Sequence, residues 1–189
     1  MEADAKLRIA VVGNGEWWGY EHALVYEARP DTELAGILGR GQTKTEARAA
    51  EFGTTAYTDL ERMLAAERPD LVSVCLPIEG HFETTLAIIR AGLPLFVEKP
   101  LVFDLAEADT LLAEAAEREL WFGINFNHRY AVPVQKARAA IERGDLGPIN
   151  FATWRFGGEI GDSEHAHANL IETQCHGLDM LEHLCGPID

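Results

Sequence analysis

Positive charge is scarce in this chain. Sixteen Lys and Arg stand against 31 Asp and Glu, a formal net charge of −15, which excludes a general nucleic-acid binder, because such proteins displace phosphate counterions with basic patches. A single anionic cofactor would need only a local cluster. Cysteine is also sparse: Cys75, Cys175 and Cys185 are an odd number and too few for a disulfide framework. Cys75 lies in an apolar run, residues 71–76, that reads as a buried strand, so reduced thiols and a cytoplasmic setting are expected. No stretch approaches the roughly 18 apolar residues of a membrane span. The start, Met1 to Lys6, has no apolar segment behind a basic one, so nothing there directs the chain out of the cytoplasm. Repeats and low-complexity tracts are absent. What is there is ordinary globular composition, 47% hydrophobic and 25% charged over 189 residues.

Apolar runs of strand length alternate with amphipathic segments. A strand over residues 7–12 ends in glycine, a helix follows over 19–29, and a strand over 33–38 completes one βαβ unit. The alternation continues with a helix over 45–52, a strand over 55–57, a helix over 59–67 with Asp59 as its cap, and the strand 71–76. A helix over 81–91, a strand over 95–97, a helix over 105–118 capped near Asp104, and a strand over 121–126 follow. Strands buried on both faces and separated by helices give an α/β fold, a doubly wound parallel Rossmann sheet, over residues 1–126.

After Phe126 the character changes. A helix over 134–144, a strand over 150–156, a polar loop and a helix from about 170 to 184, stopped by Gly186-Pro187, read as the beginning of an α/β second domain over residues 127–189. At about 60 residues it is shorter than a typical independent domain, and an isolated strand at 150–156 would leave open edges.

Gly13-Asn14-Gly15-Glu16-Trp17-Trp18-Gly19 follows the first strand and opens the first helix. There glycines permit a tight turn and bring backbone N–H groups close to a pyrophosphate at the helix N-terminus. The third glycine comes one residue later than usual, and taken alone the segment fits a glycine turn without ligand equally well. Its place after the first strand of six favours a dinucleotide. The second strand ends in Gly39-Arg40, where an acidic residue for a ribose 2′-hydroxyl is expected. Arg40 with Thr43 and Lys44 suits a 2′-phosphate instead, which favours NADP over NAD. The competing reading makes Arg40 and Lys44 solvated loop charges.

Glu98-Lys99-Pro100 directly follows the fifth strand, on the carboxyl edge of the sheet with Gly13, Arg40 and Pro77. An ammonium there can polarise a substrate oxygen as a hydride moves. A surface lysine before a helix is the alternative.

The order of these pieces resembles the Gfo/Idh/MocA family of oxidoreductases. The matching residues are Gly13, Gly15 and Gly19 with His22, Pro77 and His81, Glu98-Lys99-Pro100, Asn127 with Arg129-Tyr130, Gly144 with Gly147, and His176 with Asp179. The resemblance implies a Rossmann domain followed by a domain with a large open sheet, bound NAD(H) or NADP(H), and a sugar, cyclitol or similar polyol as substrate. It implies Lys99 on the reacting oxygen and His176 as acid or base. The cofactor contacts carried by the matching segments are Gly13, Asn14, Gly15, Trp17, Trp18, Arg40, Thr43, Lys44, Pro77, His81, Glu98, Lys99 and Arg129. It further implies a chain running on past Asp189, with homo-oligomerisation left open through a complete second domain.

At about 100° per residue, Glu172, His176, Asp179 and His183 share one stripe of the last helix. Glu172, one turn before His176, would orient its imidazole; His183 is left as surface. Leu170, Ile171, Leu178, Leu181 and Leu184 would hold the helix by burial, with His176 beside Lys99. Two features depart from the family: Glu172 stands where it often has Asp, and the usual glycine-rich segment is replaced by residues 162–169. His165 and His167 in that segment read as loop residues, with substrate contact as an alternative and no metal site assigned. Two other functions stay open: a cofactor-binding sensor without catalysis, which would tend to lose Lys99 or His176, and a lyase or hydrolase that oxidises its substrate transiently.

Overall fold

Six strands form one parallel sheet in the order β3-β2-β1-β4-β5-β6: β1 (Leu7–Val12), β2 (Thr32–Leu38), β3 (Thr55–Tyr57), β4 (Leu71–Val74), β5 (Leu95–Val97) and β6 (Phe122–Ile124). The computed structural model describes residues 5–156 and 167–188, and the chain divides into two units, Met1–Ile124 and Asn125–Asp189. In the first unit, right-handed crossovers place α1 (Trp18–Ala28) and α2 (Gln42–Glu51) on one face. The helices α3 (Leu60–Glu67), α4 (His81–Arg90) and α5 (Leu105–Glu117) cover the other. Two cores follow from this layering. Val11, Ala23, Leu34, Ile37 and Cys75 fill the α1–α2 face, and Met63, Ile88, Ile89, Leu95 and Leu111 are among those filling the opposite face. Each fully buried aliphatic side chain removed from water contributes on the order of 1.5 to 3 kcal/mol before ordering costs.

Local chemistry sets the element ends. Asp59 accepts from the Arg62 amide at the start of α3, and Asp104 accepts from the Ala106 amide at the start of α5. The register aligns the strand ends: Val12 lies beside Leu38 and Val74, Leu38 beside Tyr57, and Val97 beside both Val74 and Ile124. The residues that follow, Gly13, Gly39, Thr58, Cys75 and Glu98, therefore line one edge.

The second unit contains α6 (Val132–Glu142) and α7 (Cys175–Cys185), with a 3₁₀ turn at Asn127–Tyr130 and a π-helical turn at Asn169–Thr173. Two expectations are corrected here. Residues 150–156 form no strand: the segment is loop, and no second strand exists among the described residues of this unit to complete a ladder. The helix expected from about 170 to 184 is interrupted, with the π-helical turn preceding α7. Of the apolar positions expected to hold it, Leu170 and Leu178 are exposed and Ile171, Leu181 and Leu184 are half-buried, while His176, Gly177, Asp179 and Met180 are the buried residues of α7. Among the described residues no helix is long and apolar enough to cross a membrane.

Candidate functional site

The β1–α1 loop is shaped by its glycines. Gly13 has φ +131, a conformation L side chains rarely adopt, and a Cβ there would lie 2.9 Å from the Cys75 carbonyl carbon and closer still to its oxygen. A Cβ on Gly19 would lie 2.9 Å from the Gly13 carbonyl carbon. The loop, α1 and the end of β4 are thus packed backbone to backbone. Gly15 differs, with nothing within 4 Å of its missing side chain; the space before it is open. No side chain caps α1, so its first N–H groups are left for a ligand or water, and Trp17 and Trp18 on this turn are exposed.

Asn14 donates from Nδ2 to Thr45 Oγ1 at 2.8 Å, and Thr45 donates to the Gly41 carbonyl at 2.7 Å. A Cβ on Gly39 would lie 2.5 Å from Thr45 Oγ1. The Asn14 side chain is therefore committed to tying the glycine loop to the β2–α2 loop. The buried Thr45, read in the sequence only as the start of a helix, is the other half of that tie; its spacing from Arg40 gave no signal of it.

Beside this tie, at the ends of β1, β2 and β4, a cavity of about 270 Å³ is lined by Val12, Leu38, Arg40, Leu76, Pro77 and Thr84, among others. Its walls are mostly apolar, and its charged lining residues are the exposed Arg40 and the exposed Glu79. Thr43 and Lys44 are exposed in the first turn of α2, which has no acidic residue in that turn and no side-chain cap. Lys44 Nζ lies 3.9 Å from Glu16 Oε1 on the glycine loop, an exposed pair of little energy.

His81, expected to face the cofactor, is 1% exposed. Its Nε2 lies 2.7 Å from the Leu76 carbonyl and its Nδ1 3.2 Å from the Leu101 carbonyl. Both ring nitrogens thus meet backbone oxygens, and the side chain ties the loop after β4 to the loop after β5. Glu98 is 3% exposed, and its Oε1 lies 3.0 Å from His22 Nε2. Its carboxylate turns into the protein, whereas Lys99, the next residue, is half-buried at the edge. His22 matched in the sequence reading without a role; the structure shows what its ring meets.

In the second unit His176 is 5% exposed and stacks on His128, ring centroids 4.0 Å apart and 11° from parallel, with Phe126 and Phe156 edge-on. A Cβ on Gly177 would lie 2.7 Å from Trp154 Nε1, so the glycine admits this indole. His128 was missed by sequence reasoning, since no periodicity relates a 3₁₀ turn to a distant helix. Arg129, expected at the cofactor, donates from Nε to Asp179 Oδ1 and Oδ2 at 2.9 Å each and pairs through Nη2 with the same carboxylate. Those hydrogen bonds hold the guanidinium above its ordinary range, with burial opposing them. Arg129 therefore anchors α7 to the 3₁₀ turn. Glu172 lies in the π-helical turn, half-buried, so the one-turn α-helical spacing to His176 does not apply. Among the described residues no group of His, Cys, Asp or Glu could hold a metal ion; His165 lies outside them and His167 is exposed.

A family profile described as an oxidoreductase family with an NAD-binding Rossmann fold matches residues 7–126. D-glucoside 3-dehydrogenase of Escherichia coli (strain K12) is 33% identical over 150 residues, covering 79% of this chain and 43% of that protein. The crystal structure of GenD2 from gentamicin A biosynthesis, in complex with NAD, shares 31% identity and a TM-score of 0.70 over 75% of this chain and 40% of that one. A putative NADPH-dependent oxidoreductase from Desulfitobacterium hafniense superimposes with a TM-score of 0.84 over 98% of this chain and 56% of that one, at 21% identity, a likeness of fold alone. The chain spans less than half the length of the curated relatives it matches.

Proposed function

This chain belongs to the Gfo/Idh/MocA family of oxidoreductases with an NAD-binding Rossmann fold, and we propose that it serves hydride transfer between a nicotinamide dinucleotide and a hydroxyl or carbonyl of a sugar, cyclitol or similar substrate. One observation supports this reading above the rest. The glycine loop, the apolar cavity with Arg40 on its rim, and Lys99 all lie on the single edge to which the register brings the strand ends. The open space at Gly15, on a loop that Gly13 and Gly19 pack closely against β4 and α1, fits a dinucleotide pyrophosphate. When bound, the cofactor supplies or accepts the hydride. Gly13, Gly15 and the α1 N-terminus would hold the pyrophosphate, Pro77 would wall the adenosine side, and Lys99 Nζ would hold the substrate oxygen and stabilise its developing charge. His176 is assigned the proton transfer, with Glu172 kept as its carboxylate neighbour and His128 stacked on its ring.

Within that reading NADP is the preferred dinucleotide. An exposed arginine after the second strand, beside an uncapped helix start without acidic residues, suits a 2′-phosphate. Fluorescence titration should show NADPH binding tighter than NADH, and Arg40→Ala should remove most of a difference of about tenfold or more, the worth of one hydrogen bond to a charged group. Equal affinities in the unaltered chain, or a preference for NADH, would refute the assignment. Lys99→Ala should lower turnover of a polyol such as myo-inositol by roughly 10² to 10³ while leaving cofactor affinity unchanged. Full turnover in that variant would remove Lys99 from the reaction.

A further inference from the structure

Beneath the glycine loop, four polar side chains, three of them buried and Tyr26 half-buried, form one hydrogen-bonded chain. His22 on α1 places Nδ1 2.7 Å from Ser73 Oγ on β4 and Nε2 3.0 Å from Glu98 Oε1 just past β5. Tyr26, one turn along α1, donates its hydroxyl to Ser73 Oγ at 3.4 Å. His22, Ser73 and Glu98 are 8%, 0% and 3% exposed. Phe96 stacks under the His22 ring with centroids 5.7 Å apart, fixing its plane.

The direction of the chain follows from the chemistry of its groups. A carboxylate only accepts, so His22 Nε2 carries the hydrogen and donates to Glu98. In the neutral ring Nδ1 then accepts, and Ser73 donates to it while accepting from Tyr26. The bonds run from Tyr26 through Ser73 and His22 to Glu98, with the Cys75 thiol 3.8 Å from Ser73 Oγ as a side branch. Shifting the His22 ring would break its bonds to both Ser73 and Glu98, which are buried polar groups that cost free energy when left unpaired.

That arrangement joins two parts of the site that are 76 residues apart in sequence. α1 carries the glycine loop at its start, and Glu98 is bonded to Lys99. The Glu98 amide donates to the Val74 carbonyl at 2.9 Å, which holds its backbone to the end of β4. We propose that His22 is a positioning residue for Lys99: by donating to Glu98 it fixes the Glu98-Lys99-Pro100 turn relative to the pyrophosphate loop, and so sets where the ammonium stands. The proposal rests on the assignment of Lys99 to the substrate oxygen only in its consequence for rate; the placement of Lys99 can be read without turnover.

The test compares three forms of the full chain: unaltered, His22→Leu, which removes both nitrogens, and His22→Gln, whose amide can still donate to Glu98. Lys6, Lys44, Lys99 and Lys136 are labelled with a water-soluble amine reagent without cofactor, and the rate at each lysine is read by peptide mass spectrometry. The expected result is a several-fold change at Lys99 alone in His22→Leu, reversed in His22→Gln. A Lys99 rate equal in all three forms would overturn the proposal, as would rates raised at every lysine together, which would mark general loosening. Turnover of myo-inositol with NADP⁺ gives a second reading, expected to fall about 10²-fold in His22→Leu with NADPH affinity unchanged, the loss a misplacement near 1 Å brings. If the unaltered chain turns over no polyol, the hydride-transfer reading fails while the labelling still decides the positioning role.

Discussion

Cys75 shows how the sheet edge acts on a single side chain. It follows β4 with its thiol buried in the α1–α2 core, and that burial pushes the thiol well above its ordinary value of 9.0. Ser73 pulls it partly back by hydrogen bonding, and the Glu98 charge pushes it further up. Below its ordinary value the thiol is protonated whether the chain is folded or not, so its contribution to stability is fully present. Above that value the unfolded thiol ionises and the folded one does not, so stability falls as pH rises, by up to about 1.4 kcal/mol per pH unit for one proton. Tyr26, also raised by burial, adds its own loss only above its ordinary value of 10.0. Chemical unfolding between about pH 9 and pH 10 should therefore show a steeper loss for the natural chain than for Cys75→Ala. Parallel slopes would mean the thiol is not held protonated by the fold. Maleimide should modify the exposed Cys185 in the native state and leave Cys75 untouched.

At the scale of the element, the glycine loop separates what the fold demands from what a ligand demands. Gly13→Ala combines an unfavourable φ with a clash against β4, and should cost about 1 to 3 kcal/mol in a thermal or chemical melt as well as abolish cofactor binding. Gly15→Ala adds a methyl group to open space and should leave stability near that of the natural chain while lowering NADPH affinity. If both variants lose stability alike, the loop around Gly15 is packed by the protein itself and the open cradle is not a ligand site. Much of this element was legible in the sequence: the alternation of runs yields all six strands, and Asp59 and Asp104 mark two helix starts, because both signals are local. The misses are those that depend on distant partners. Residues 150–156 carry a strand-like pattern but find no neighbour to pair with. The π-helical turn at Asn169–Thr173 shifts the phase of a stripe that a uniform 100° step assumes. Thr45 and His22 matter through Asn14 and Glu98, which are 31 and 76 residues away, beyond any periodicity.

For the whole molecule, the question is how much of the cofactor site one unit holds. Both hydrophobic cores consist only of residues within Met1–Ile124, as do the glycine loop, the cavity and Lys99. Arg129 is the one expected cofactor residue in the second unit, and its guanidinium is bound by a carboxylate that is 7% exposed. A fragment of residues 1–126 should therefore fold and bind NADPH with an affinity close to that of the full chain, because both cores, the glycine loop and the cavity lie within the first unit. In the full chain Arg129→Ala should leave that affinity unchanged and lower stability by about 1 to 3 kcal/mol, since it strands the buried Asp179 without its donor. Asp179→Ala added to Arg129→Ala should recover part of the loss, as expected when the cost lies in the orphaned carboxylate rather than in the missing arginine. A tenfold weaker hold on NADPH in Arg129→Ala, or a fragment that folds but fails to bind, would return Arg129 to the cofactor and make the dinucleotide site the joint property of both units.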